Sequence, residues 1–312
     1  MFSVIIPYYK KREYIERCID HILAQTFKSY EIIVVDDGSN DGFSDFCNNK
    51  YGNKVKVFVQ ENQGVSAARN SGIAIASMEY VAFLDADDYW APNYLASLAK
   101  VIAENVDVKI IGTNYTRQKS DLEKNLVIPD YFLIQNYFRT ALHKPYFFTS
   151  ATVIKKAFFQ TEKGFNTSLK SGEDIDVWFR AVISGGNCFF IKNKLVYYSD
   201  EDENQATVTP KEFRTRFIAN INDLYLKNSH LYPREFYIFL SKYIYTSIYI
   251  IYYERQYHNH CKSLLKSLND RFLLAELYYL LPYDIWSRLI KNVRIRKLVR
   301  IYFKFIFRYI YN

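Results

Sequence analysis

The chain has 312 residues, 49% of them hydrophobic and 24% charged, enough apolar material for one large domain or two moderate ones. Its net charge of +8 is uneven: residues 1–211 hold 24 Lys and Arg against 26 Asp and Glu, while residues 212–312 hold 17 against 7. That asymmetry sets a near-neutral catalytic or binding part before a basic part suited to an anionic partner. Cys18, Cys47, Cys188 and Cys261 lack metal-ligand spacing and read as reduced, mostly buried thiols of a cytosolic protein. No signal peptide is expected from "MFSVII" ahead of Pro7.

"FSVIIPYY" reads as a strand ended by Pro7, and Tyr14, Ile15, Cys18, Ile19, Ile22 and Leu23 follow at helical spacing. "YEIIVVDDGS" and "KVKVFVQ" are strands, "GVSAARNSGIAIAS" a helix, and "EYVAFLD" a strand again. "APNYLASLAKVIAEN" reads as a helix with Pro92 in its first turn, and "VDVKIIGT" returns to strand. Such alternation calls for a parallel sheet covered by helices, with ligands bound beyond the carboxyl ends of its strands. Three polar clusters fall there: Tyr8 with Tyr9, Asp36 with Asp37, and Asp85 to Asp88. Residues 113–172 yield no pattern. "SGEDIDVWFRAVISGGN" reads as a helix with Glu173, Asp174 and Asp176 in its first turn, and a boundary falls near Pro210.

Asp85 and Asp87, at i and i+2 of a strand end, lean toward one cavity once the chain turns. Hard carboxylate oxygens there suit Mn²⁺ or Mg²⁺, held by one or two carboxylates plus substrate phosphates. An acidic turn capping the next helix explains the same residues without a ligand. Arg69 offers a planar fork matched to a diphosphate, or is a surface arginine.

"SVIIPYY", "IIVVDDGSNDG", "NQGVSAARNSG", "YVAFLDADD" and "GEDIDVWFRA" occur in the order and spacing of glycosyltransferase family 2, which the chain resembles over about residues 2 to 200. The resemblance implies an α/β, Rossmann-like GT-A fold with a mostly parallel central sheet over residues 1–211, followed by a helical region, 212–312. It implies an inverting hexosyltransferase acting on a UDP-sugar, with UDP-glucose as first candidate. The acceptor implied is a bacterial surface glycan, such as lipooligosaccharide or a polyprenyl-diphosphate-linked oligosaccharide. By the same resemblance Pro7, Tyr9 and Asp37 contact uracil, Arg69 lies beside the diphosphate, Asp85 near the ribose, Asp87 on the metal, and Asp174 is the catalytic base. Trp178 matches an aromatic beneath the acceptor pocket, or is a core residue of its helix. Many relatives place a histidine soon after a "YY" strand, whereas "VYYSDEDENQ" offers Asp200, Glu201, Asp202 and Glu203, so the third metal ligand is open.

"FYIFLSKYIYTSIYIIYY" is the nearest thing to a membrane span, but Lys242 and its tyrosines suit a buried or interfacial helix. From Ile285 to Asn312 there is no acidic residue, and Arg288, Lys291, Arg294, Arg296, Lys297, Arg300, Lys304 and Arg308 stand among large apolar side chains. This pattern predicts an amphipathic helix on the inner face of the cytoplasmic membrane, or a terminal helix packed on the protein with a solvated basic face. The competing function is a non-catalytic binding protein whose basic module holds lipid or nucleic acid. No RNA-binding signature appears, so nucleic acid is not expected.

Overall fold

The computed structural model describes residues 1–123, 128–201 and 211–311. The chain divides into two units, residues 1–135 with 146–211, and residues 136–145 with 212–312.

The first unit opens with β1 (Phe2–Tyr8), α1 (Arg12–Leu23), β2 (Tyr30–Asp36), α2 (Phe43–Tyr51), β3 (Lys56–Val59), α3 (Val65–Ile75) and β4 (Tyr80–Phe83). There follow β5 (Tyr89–Trp90), α4 (Tyr94–Glu104), β6 (Val108–Thr116) and β7 (Tyr131–Leu133). After α5 (Tyr137–Thr140), which belongs to the second unit, come β8 (Thr152–Lys155), α6 (Phe158–Thr161), α7 (Glu173–Ile183) and β9 (Asn187–Tyr197). The strands form one sheet in the order β3-β2-β1-β4-β8-β6-β9-β5, with β7 paired to β9. Strands β1, β2, β3, β4, β6 and β9 run one way, and β5, β7 and β8 the other.

Burial on both faces explains the uninterrupted Val and Ile runs of β1 and β2. In α1, Ile15, Cys18, Ile19 and Ile22 form the buried stripe, while Tyr14 and Leu23, at its flanks, are only partly buried. α3 lies so close on β1 that a Cβ at Gly72 would sit 2.4 Å from Ile5 Cγ2. α4 starts at Tyr94, so Pro92 stands ahead of its first turn, where the Pro92 carbonyl accepts a hydrogen bond from Thr26 N at 2.8 Å. α2 was not evident in the sequence, because two asparagines and an aspartate interrupt the apolar spacing of Phe43, Cys47 and Tyr51. All four cysteines are buried and unpaired.

Register brings the polar clusters together. Tyr8 pairs with Asp36 across β1 and β2, and Asp37 N donates to Tyr8 O at 2.9 Å. β4 ends at Phe83 opposite Ile5, and Leu84 N donates to Ile5 O at 3.1 Å, so Asp85 emerges at the same edge. β8 is antiparallel to β4 and therefore starts at that edge, delivering Thr149 and Ser150 just before it.

The second unit contains α5, α8 (Phe217–Leu224), α9 (Arg234–Ile248), α10 (His258–Lys266), α11 (Leu273–Tyr279), α12 (Tyr283–Leu289) and α13 (Val293–Phe305), which runs into a π-helical turn, Ile306–Ile310. Its core is built from tyrosines whose hydroxyls donate to helix-end carbonyls: Tyr253 to Tyr278 O at 2.7 Å, Tyr278 to Tyr249 O at 2.9 Å, and Tyr279 to Tyr245 O. Each ring thus fills apolar space while its polar tip satisfies an orphaned carbonyl. No helix among the described residues is long and apolar enough to cross a membrane.

Candidate active site

Arg69, 3% exposed on α3, ties the end of β4 to the start of α7. One guanidinium nitrogen donates to Asp85 Oδ1 at 2.8 Å and the other terminal nitrogen to Glu173 Oε1 at 3.1 Å. A planar fork can hold two carboxylates in fixed relation, which a lysine cannot. Asp85 Oδ2 makes no hydrogen bond with the described residues, and the side chain is 29% exposed.

Asp174 follows Glu173 and is half-buried. Its carboxylate accepts from Thr149 Oγ1 at 3.3 Å and from Ile175 N at 2.8 Å. Burial, then the neighbouring Glu173, pushes its carboxyl up to about 6, with Arg69 opposing. A carboxylate so placed takes a proton near neutral pH more readily than an ordinary aspartate. Asp176, the third acid of this turn, is held by Arg180 at 2.8 Å and serves the helix.

Asp87 is 6% exposed, and its Oδ2 lies 2.7 Å from Lys11 Nζ. Burial raises its carboxyl above the ordinary range even though Lys11 pulls it down. The Asp87 carbonyl accepts from Arg17 at 3.3 Å. Asp88 is internal: Ser150 Oγ donates to it at 2.5 Å and Ser199 N at 2.9 Å, while burial and the charges of Asp85 and Asp87 raise it well above the ordinary range. Ser150 Oγ also accepts from Asp85 N at 3.1 Å, so β8 anchors the whole acidic turn.

On the other side of the cleft, Asp37 accepts from Gln60 Nε2 at 2.8 Å, Gln63 N at 2.9 Å and Gly64 N at 2.8 Å, ordering the loop before α3. A carboxylate has about four lone-pair sites, so one remains. Pro7 does not end β1: it pairs with Val35 inside the strand, which runs on to Tyr8, and Tyr9 follows 45% exposed with the Lys10 ammonium 5.3 Å from its ring centroid. Gly38, at φ +75°, makes the turn after Asp37, where a Cβ would lie 2.9 Å from Asn62 N. Trp178 is buried among Phe83, Phe147 and Phe165, and its indole nitrogen has no partner among the described residues.

A divalent cation needs hard oxygens, and here Asp85 and Asp87 present carboxylates one residue apart. No group of three His, Cys, Asp or Glu converges among the described residues. One oxygen of each aspartate is already engaged, Asp85 Oδ1 by Arg69 and Asp87 Oδ2 by Lys11, so a cation here would need Lys11 displaced and most of its ligands from substrate phosphates. Glu201, beyond the β9 "YY", is taken: Lys119 pairs with it at 2.6 Å and Arg17 at 2.8 Å, and the two drive its carboxyl down to about 2. Asp202 and Glu203 lie outside the described residues. Sequence reasoning passed over Lys11, Thr149 and Ser150. Lys11 stands just past the end of β1, which is itself a signal, whereas Thr149 and Ser150 come from the unread middle of the chain.

The sequence profile described as "Glycosyl transferase family 2" matches residues 3–161. The glycosyltransferase GlyG of Streptococcus pneumoniae is 38% identical over 124 residues, 39% of this chain and 41% of that protein. The minor teichoic acid biosynthesis protein GgaA of Bacillus subtilis is 27% identical over 248 residues, 72% of this chain and 53% of that protein. The crystal structure of S. aureus TarS residues 1–349 in complex with UDP-GlcNAc matches with a TM-score of 0.68 at 19% identity, covering 86% of this chain and 81% of that one. The chain thus spans about half or less of the two relatives' lengths. It belongs to glycosyl transferase family 2, and its first unit has the GT-A fold.

Proposed function

We propose that the chain is an inverting hexosyltransferase that uses a UDP-sugar and a hydroxyl of a bacterial surface glycan. The observation that carries this reading is the Arg69 fork, which holds Asp85 and Glu173 together beside an Asp174 of raised proton affinity. Asp37 would offer its remaining lone pair to the uracil imide N–H, with Pro7 and Tyr9 against the ring, Asp85 near the ribose and Arg69 on the diphosphate side. Asp174 takes the acceptor hydroxyl's proton as its oxygen bonds to the anomeric carbon. The bond to the β-phosphate oxygen breaks on the opposite face, and its electron pair leaves with UDP. Mn²⁺ or Mg²⁺ on Asp87 would supply counter-charge to that leaving group. Lys11, once displaced from Asp87, has the reach and charge to add to it.

UDP-glucose is the first candidate, and the UDP-GlcNAc bound by TarS makes N-acetylated donors the next. A cell-surface polymer as acceptor accords with the name of GgaA, a minor teichoic acid biosynthesis protein; within that class a lipid-linked oligosaccharide or lipooligosaccharide is the candidate. Peripheral attachment to the inner face of the cytoplasmic membrane has one support in the second unit. α13 buries Val299 and Phe303 yet leaves Leu298, Ile301 and Phe305 exposed, as is Tyr309 in the π-helical turn that follows. Thermal-shift screening of nucleotide-sugars with Mn²⁺, followed by UDP release, tests the activity. No stabilisation by any donor and no UDP release would favour the non-catalytic binding protein.

A further inference from the structure

Two stripes run side by side on the outside of α13 and the π-helical turn that follows it. Leu298, Ile301, Phe305 and Tyr309 form the apolar one, and Lys297, Arg300, Lys304 and Arg308 the basic one, both exposed. Like charges three and four residues apart repel along a helix. Residues 285–311 contain no acid, and none of these four cations forms an ion pair with a described residue. Beneath the basic stripe, within the second unit, is a cavity of about 160 Å³ lined by His143, Thr246, Tyr249, Arg300, Phe303 and Lys304 among others. It is several times the roughly 30 Å³ of one water. None of its lining residues is an Asp or Glu. The side chains of Arg300 and Lys304 make neither ion pair nor hydrogen bond with any described residue.

We propose that this cavity binds the phosphate headgroup of an anionic membrane lipid, with Arg300 and Lys304 as the charged contacts. Thr246 Oγ1, already donating inside α9, and the Tyr249 and Phe303 rings form the rest of the wall. Burial first, then Arg308, Lys304 and Lys242, lower the proton affinity of His143, with its bond to the Phe307 backbone opposing. A lipid is favoured over a soluble phosphate because the apolar stripe adjoins the cavity's two cations on one helix. A headgroup seated there would leave its acyl chains beside Ile301 and Phe305. The proposal rests on the peripheral-membrane reading above and gives it a specific site.

The test is co-sedimentation of the full chain with phosphatidylcholine vesicles, with and without phosphatidylglycerol. Arg300→Gln with Lys304→Gln should weaken binding to the anionic vesicles by about tenfold or more. Arg294→Gln with Lys297→Gln removes the same charge from the same helix outside the cavity, and its loss should be smaller than that of the cavity pair by a factor of about three or more. Equal losses would overturn the cavity and leave only diffuse attraction. A wild-type chain that ignores both vesicles would overturn the membrane reading itself. Inorganic phosphate or glycerol phosphate at millimolar concentration should not displace the chain; displacement would assign the site to a free phosphate instead. Circular dichroism and the UDP thermal shift monitor folding. If the cavity pair unfolds the second unit, Lys304→Gln alone carries the comparison with Lys297→Gln.

Discussion

The ammonium of Lys11 lies 2.7 Å from Asp87 Oδ2, so the carboxylate expected to hold a divalent cation already carries one of the chain's own. Because Asp87 is buried, removing Lys11 leaves its charge without a counter-charge. Lys11→Met should destabilise the protein by about 1–3 kcal/mol in urea unfolding. Mn²⁺ should then return part of that loss, and more than it gives the wild type, since the metal no longer competes with an ammonium. Equal Mn²⁺ stabilisation of both proteins would place the cation elsewhere. Asp87→Ala should nearly abolish transfer and remove the Mn²⁺ effect.

Asp174 joins a functional expectation to a stability cost. Its folded carboxyl, near 6, lies above the ordinary aspartate range, so the folded state holds the proton more tightly than the unfolded chain does. The associated stabilisation is fully present below the ordinary range and is lost as pH rises through about 6. Asp174→Asn should therefore stabilise the protein at pH 8, by up to about 3 kcal/mol. It should also lower turnover by a factor on the order of 10² or more while UDP binding holds. The wild-type rate should fall below about pH 6 with unit slope. Surviving turnover in the asparagine variant would shift the base to Glu173.

The strand ends were legible because β1, β2 and β4 are buried on both faces and so read as apolar runs that stop at polar residues. Arg69 and Asp85 could be named from their motifs, but their mutual ion pair depends on α3 packing against β1, a tertiary relation that no local pattern encodes. Ser150 was hidden because β8 is short and antiparallel, in a segment where aromatics blur the alternation. Asp88 looked equivalent to its neighbours, yet Ser150 and Ser199 take it inward. The basic tail showed its amphipathicity, but periodicity alone could not say that α13 has two apolar arcs, one packed and one exposed.

Gly72 tests the packing that positions Arg69. A methyl there would press on Ile5, a β-branched side chain fixed in the centre of the sheet. Gly72→Ala should cost about 1–3 kcal/mol despite alanine's better helix propensity. UDP affinity should fall with it, because α3 carries Arg69 three residues earlier. A variant as stable as wild type would mean that α3 can move away from β1 without penalty.

The outward arc of α13 separates the two readings of the basic tail. Deleting residues 285–312 is a poor test, since Val299, Phe303, Ile306 and Phe307 would be stripped from the core of the second unit. Ile301 and Phe305, by contrast, are 58% and 53% exposed and can be changed without touching that core. Ile301→Ser with Phe305→Ser should leave the melting curve within about 0.5 kcal/mol of wild type, as surface substitutions do. If these side chains enter a bilayer, each contributes about 1.5–3 kcal/mol on full burial, so the pair should weaken anionic-vesicle binding by about 100-fold or more. Binding should also fall as salt rises, because screening shortens the reach of the basic stripe. A double variant that binds vesicles as well as wild type would show the apolar stripe to be idle. A wild-type chain that binds none at low salt would leave α13 a packed helix with a solvated basic face.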